Sequence, residues 1–194
     1  LELLTRTGAH HFERLGLALA VQLDRSALES AYLARSSLVH PDRFVGGTNA
    51  VQRRAMEASA ALNEAYRTLR DPVRRAEYLV RLGGIDLDSS DPVRGAPRMD
   101  QVFLMDMIER REQLQAARRD AGELAAMREQ VDVEAEGVLD EALAALETAL
   151  TRPGGLAPDP AGTPNPAVAA AARALVHHRY VQRLLDEIDA EHDG

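Results

Sequence analysis

Val39-His40-Pro41-Asp42-Arg43-Phe44 is a short stretch with a hard break in it. Proline drives the residue before it out of the α region, so a helix arriving from the N-terminal side must stop at His40. That helix is legible upstream. Leu28, Ala31, Tyr32 and Val39 mark a buried side, and a start at Asp24 or Ser26 is supported by Ser26 and Glu29 in capping-box relation. Downstream, residues 42–49 contain Gly46-Gly47 and read as a loop. A longer helix over residues 50–70 follows, with Met56, Ser59, Leu62, Tyr66 and Leu69 on one stripe. The tripeptide therefore occupies the bend of a helical hairpin.

Working outward, Phe12 and Leu15 define a short helix over residues 10–15 that Gly16-Leu17 ends. Asp71-Pro72 stops the long helix and opens another, since Asp caps well and Pro suits a first turn. That helix carries Arg75-Ala76-Glu77-Tyr78-Leu79 and ends at Gly83-Gly84. Residues 85–98 are a linker rich in Asp, Ser, Gly and Pro. Helices over residues 100–119 and 121–150 come next, the second with Leu124, Met127, Val131, Ala135, Val138, Ala142 and Leu146 at helical spacing. Residues 152–166 hold five of the nine prolines with Gly154, Gly155 and Gly162, which predicts a flexible loop. A last helix spans residues 167–190. Strand-length alternation is missing almost everywhere and no internal repeat is seen, so the expected class is all-α.

Composition narrows the function classes. The chain has 194 residues, 45% hydrophobic and 28% charged, a globular balance with room for one or two small domains. There is no Cys, which excludes disulfides, thiolate metal sites and a cysteine nucleophile. No apolar run approaches membrane-spanning length and nothing resembles a signal peptide, so a cytoplasmic protein is expected. The first residues are Leu1-Glu2-Leu3, which leads us to expect a natural start upstream. Charge is uneven. Residues 1–82 carry 12 Arg against 9 acids, while residues 83–194 carry 11 Arg against 22 acids. An acidic second half argues against nucleic acid, and the sign change hints at two domains.

By itself His-Pro-Asp is a weak motif, and a helix-ending Pro with a capping Asp would explain it. In context it resembles the J-domain family. The helix order matches, and Asn63, Ala65, Tyr66, Leu69, Asp71 and Pro72 are similar to that family's third-helix signature. The resemblance covers about residues 8–82 and implies a loop that docks on a DnaK-type chaperone and stimulates its ATP hydrolysis. Physically, Pro41 stiffens the loop so that His40 and Asp42 are presented at low ordering cost, and Asp42 offers a carboxylate that an Arg can grip at two points. The expected chaperone-binding residues are His40, Pro41, Asp42 and Arg43.

Three further pieces resemble the HscB-type co-chaperones of iron–sulfur cluster assembly. They are Asp42-Arg43-Phe44, Arg75-Ala76-Glu77-Tyr78-Leu79, and the run Phe103-Leu104-Met105-Asp106-Met107-Ile108-Glu109-Arg110-Arg111-Glu112. This resemblance implies partners of two kinds, an HscA- or DnaK-type chaperone and an IscU-type cluster scaffold. It also implies an N-terminal J-domain (8–82), a linker (83–98) and a C-terminal three-helix bundle (99–194) that binds the scaffold. The third piece also has a reading of its own. At about 100° per residue, Phe103, Met107 and Leu114 share one face, while Leu104, Met105 and Ile108 fall on another. One apolar stripe suffices in a small bundle. Either neighbouring helices bury both stripes, or the second is an exposed patch for a partner, rimmed by Glu109 and Glu112. By resemblance, Tyr180 joins that patch, and the plainer alternative places it at the rim of the bundle core.

The sequence also departs from the family. Outward positions of the helix before His40 read Glu29, Ser30, Leu33, Ala34, Ser37 and Leu38, without the positive charge J-domains usually carry there. Arg35 sits where the family tends to be apolar. Electrostatic steering is therefore expected to be weak. The adjacent pairs His10-His11 and His177-His178 lack the i, i+4 spacing of a zinc site and read as surface or rim histidines. No metal and no cofactor are expected, and no phosphate loop or nucleophile constellation argues for an enzyme. The alternative function is a general or degenerate J-protein serving another client.

Overall fold

The computed structural model describes residues 8–192 and, among them, contains seven α-helices and no strand. They are α1 (His11–Leu15), α2 (Arg25–Val39), α3 (Asn49–Arg70), α4 (Pro72–Leu82), α5 (Gln101–Ala117), α6 (Ala121–Thr151) and α7 (Pro166–His192), with a 3-10 turn at Pro41–Phe44. The chain divides into two compact units between Tyr78 and Leu79, inside α4.

In the first unit, α2 and α3 form the hairpin and α1 packs against α3. Phe12, Leu15, Leu28, Val39, Leu62 and Leu69 are buried, each contributing about 1.5–3 kcal/mol. The stripe of α3 runs through Ala55, Ala58, Leu62, Ala65 and Leu69. Met56, expected on the buried side, is instead exposed. Small alanines bring the helices close where a methionine would hold them apart. Across the hairpin, the Tyr32 hydroxyl donates to Asn63 Oδ1 at 2.8 Å and the rings of Tyr32 and Tyr66 stack at 4.3 Å. The N-cap of α2 is Asp24, whose carboxylate accepts from the Ala27 N–H at 2.7 Å and the Ser26 hydroxyl at 2.6 Å. Ser26 is thus a partner of the cap rather than the first member of a capping box with Glu29.

The Arg75–Tyr78 segment of α4 locks this unit. Arg75 is buried and donates to the carbonyls of Val21, at 2.8 Å, and Leu69. Burial pushes its guanidinium below the ordinary arginine value, with Asp71 opposing that trend. The Tyr78 hydroxyl accepts from the His11 N–H at 2.9 Å, and its ring stacks on His11.

In the second unit, α6 and α7 pair along their length and α5 packs on them. Pairings of Arg128 with Asp189 and of Glu134 with His177 show that α6 and α7 run antiparallel. The shared core holds Met107, Leu114, Leu124, Val131, Val181, Leu184 and Ile188. Beyond the reach of α5, alanines take over, with Ala142 and Ala149 on α6 and Ala171 and Ala172 on α7 all fully buried. The segment before α5 is not a bare linker. Ile85 and Leu87 are buried, Asp86 N–H donates to the Arg94 carbonyl at 2.7 Å, and Arg179 donates to the Leu87 carbonyl. Residues 152–165 form no helix, as their prolines dictate, but they make hydrogen-bonded turns around buried Leu156, and Pro166 opens the last helix. Among the described residues no helix is long and apolar enough to cross a membrane.

Candidate functional site

The His-Pro-Asp bend is built by the C-terminus of α2. Its last residue, Val39, is buried, so the chain leaves the hairpin core abruptly and His40 turns outward. The 3-10 turn begins at Pro41, whose side chain lies outside the described residues. The His40 and Asp42 side chains are 58% and 84% exposed, with His40 Nδ1 3.5 Å from Asp42 Oδ2. Nδ1 is also 3.4 Å from the Asp42 N–H, which donates to it when it carries no proton. A protonated Nδ1 would face the carboxylate instead. Asp42 accepts no guanidinium within the described residues, so its carboxylate is free for an external donor. Arg43 turns back, donating from Nη1 to the Ser37 carbonyl at 3.0 Å, and so closes the end of α2. Gln52 Nε2 on α3 donates to the carbonyls of Val45 and Gly47 and pins the far side of the loop. Glu29, Ser30, Leu33, Ala34, Ser37 and Leu38 are all exposed, so the outward face of α2 carries no positive charge.

A second candidate surface lies on α5. Asp100 caps the helix, accepting from the Phe103 N–H at 2.8 Å. Met107 and Leu114 are buried and Phe103 packs against the same core. Leu104, Met105 and Ile108 face away, at 37%, 56% and 51% exposure, and Glu109 and Glu112 are exposed beside them. The neighbouring helices therefore bury one stripe of α5 and leave the other to solvent. Tyr180 on α7 is partly buried, edge-on to Phe103 at 5.4 Å, with the Arg183 guanidinium over its ring.

One element of this surface was not anticipated. Arg110, on α5 between Ile108 and Leu114, binds Asp106 at 2.8 Å and also Glu134 of α6. Glu134 Oε1 lies 3.0 Å from His177 Nε2 of α7, and the His177 ring meets Phe103 edge-on at 4.7 Å. Burial raises the Glu134 pKa, but the hydrogen bonds and charges of Arg110 and His177 outweigh it and hold the carboxyl below its ordinary value. This chain of charges ties all three helices together behind the exposed stripe. Its one sequence signal was the i, i+4 pair Asp106–Arg110. Of the histidines expected at surface or rim positions, His178 is instead buried, since one step of 100° from His177 turns a side chain from rim to core, while His10, half-buried, caps α1.

Comparison with known proteins gives concordant results. The sequence-family model described as the HSCB C-terminal oligomerisation domain matches residues 99–189. The co-chaperone protein HscB homolog of Bordetella pertussis is 43% identical over 122 residues, 63% of this chain and 69% of the relative. That of Burkholderia thailandensis is 42% identical over 119 residues, 60% of this chain and 66% of the relative. Among solved structures, the chaperone HscB of Vibrio cholerae superposes with a TM-score of 0.71 at 28% identity, covering 95% of this chain and 98% of that one. Human co-chaperone protein HscB, at 22% identity and a TM-score of 0.73 over 95% of this chain and 82% of that one, supports the fold. The all-α architecture, a J-domain followed by a C-terminal helical domain, is therefore shared. With His40 and Asp42 exposed at the bend, an α-helical C-terminal unit and relatives of this kind, the chain belongs to the HscB family of co-chaperones.

Proposed function

We propose that this protein is a non-enzymatic adaptor that stimulates ATP hydrolysis by an HscA- or DnaK-type chaperone and brings it an IscU-type cluster scaffold. The chaperone meets His40, Pro41, Asp42 and Arg43. Asp42 supplies the charge that a chaperone guanidinium grips, His40 flanks it, and Arg43 holds the bend against α2. The scaffold meets Leu104, Met105, Ile108, Glu109, Glu112 and Tyr180. The single observation that carries this reading is the exposed apolar stripe of α5. A bundle whose core already takes Phe103, Met107, Leu114 and Ala117 from α5 gains little stability from it.

The test is the chaperone's ATPase rate with this protein, with and without the scaffold. Wild type should stimulate, and the scaffold should increase the effect. Asp42→Asn should abolish stimulation while leaving helicity and melting unchanged, because the carboxylate makes no interaction that the hairpin needs. Absence of stimulation under every condition would overturn the reading. A second reading, a general or degenerate J-protein serving another client, is favoured by one observation, the missing positive charge on the outward face of α2. Stimulation that the scaffold does not increase would select it.

A further inference from the structure

At the end of the hairpin away from His40, the start of α2, the end of α3 and the start of α4 enclose an open cleft of about 570 Å³. Arg25, Arg67, Arg70 and Arg74 line it, and all four are exposed. None has an ion pair among the described residues. Asp71 is the one acid in the lining, and one of its oxygens already accepts the Arg74 N–H at 2.9 Å. Arg67 and Arg70 lie in the last turn of α3, where a cation complements the helix dipole. That account fails for the other two. Arg25 is the first residue of α2 and Arg74 lies in the first turn of α4, where the dipole opposes a cation. Four unpaired guanidinium groups thus concentrate positive potential in one concave place on a chain whose net charge is −8.

We infer that this cleft is a binding site for an acidic peptide segment of a protein partner, separate from the His-Pro-Asp bend. The lining favours a peptide over a small anion. Arg75, the innermost arginine, is committed to the carbonyls of Val21 and Leu69, so no buried guanidinium is left to wrap a phosphate. The free arginines come from three different helices, which suits carboxylates spaced along a chain. Leu23, half-buried at the edge of the cleft, adds an apolar contact that an aliphatic side chain of the same segment would cover. Nucleic acid is disfavoured by the acidic remainder of the chain.

The probe is a fluorescein-labelled decapeptide of Asp, Glu and Leu, titrated by anisotropy into the full chain at low and moderate salt. Saturable binding that weakens with salt is expected, with none for a Lys/Leu counterpart. Arg67→Glu with Arg70→Glu should weaken it at least about ten-fold, and the Lys double variant should retain most of it, which separates lost charge from lost fold. Asp42→Asn should bind the peptide as wild type does, so failure here and failure of the chaperone reading are distinguishable. Unchanged affinity in the Glu double variant would overturn the inference. So would displacement of the probe by inorganic phosphate or by an oligonucleotide at lower concentration than by unlabelled peptide.

Discussion

Arg35 lies where a side chain on Gly16 would begin. A Cβ built there falls 1.8 Å from Arg35 Nη2, and the Gly16 backbone already has a φ of 61°. The left-handed turn lets the Gly16 N–H close α1 onto the Glu13 and Phe12 carbonyls, and Arg35 packs over the bare backbone. This accounts for an arginine at a position where the family resemblance led us to expect an apolar residue. Gly16→Ala should destabilise the first unit by about 1–2 kcal/mol from the backbone conformation, with a further cost for displacing the guanidinium. Urea unfolding of the variant checks this. A companion Gly16→Ala/Arg35→Ala double variant should recover the part due to collision and not the part due to φ. If the single variant is as stable as wild type, the close approach has no energetic weight.

At the scale of the helix, α5 poses the sharper question, because its two apolar stripes have opposite fates. Leu104→Ser, Met105→Ser and Ile108→Ser combined should leave the thermal midpoint of the protein within a few degrees of wild type, since exposed side chains carry little folding energy. The same triple variant should lose scaffold binding by isothermal titration, each residue accounting for about 0.5–1.5 kcal/mol, since binding covers only the part of each side chain still exposed. Met107→Ser should do the reverse and unfold the bundle. The pinning of α5 gives a pH prediction. Glu134 titrates below its ordinary value of 4.5 in the folded protein, so its carboxylate stabilises the unit above that pH, and the contribution disappears as acid carries the pH down through the folded value. Glu134→Gln should therefore melt lower than wild type at pH 7, and the gap should narrow steadily below pH 4.5 in a series of melts. Much of this element was legible in the sequence. Spacing assigned Phe103, Met107 and Leu114 to one face and Leu104, Met105 and Ile108 to another, because both stripes are made of large residues. Where small residues do the packing, legibility fell. On α3 the eye follows Met56, while the interface is built by Ala55 and Ala58. Glu134 was hidden because its partners lie 24 and 43 residues away, and no local pattern joins them.

For the whole molecule, charge placement matters more than net charge. The arginine-lined cleft of the first unit lies at the start of α2, while the bend at His40 lies at its other end. Fifteen helical residues put the two about 22 Å apart, more than two Debye lengths at physiological salt. On the proposed reading, a chaperone would meet beside the bend a face of Leu33, Leu38 and small polar residues in place of the positive charge that J-domains usually carry there. Such an encounter gains little from long-range attraction and owes its lifetime to contact at Asp42 and to apolar burial along α2. The association rate with the chaperone, measured by stopped flow, should therefore change by less than about three-fold between low and high salt. Ser30→Arg with Ser37→Arg should speed association at low salt and make it strongly salt-dependent, because those positions are exposed and point outward. Leu33→Ser with Leu38→Ser should leave the association rate unchanged and accelerate dissociation. A wild-type rate that falls ten-fold with salt would mean that the arginine cluster steers the encounter from a distance, contrary to the screening argument.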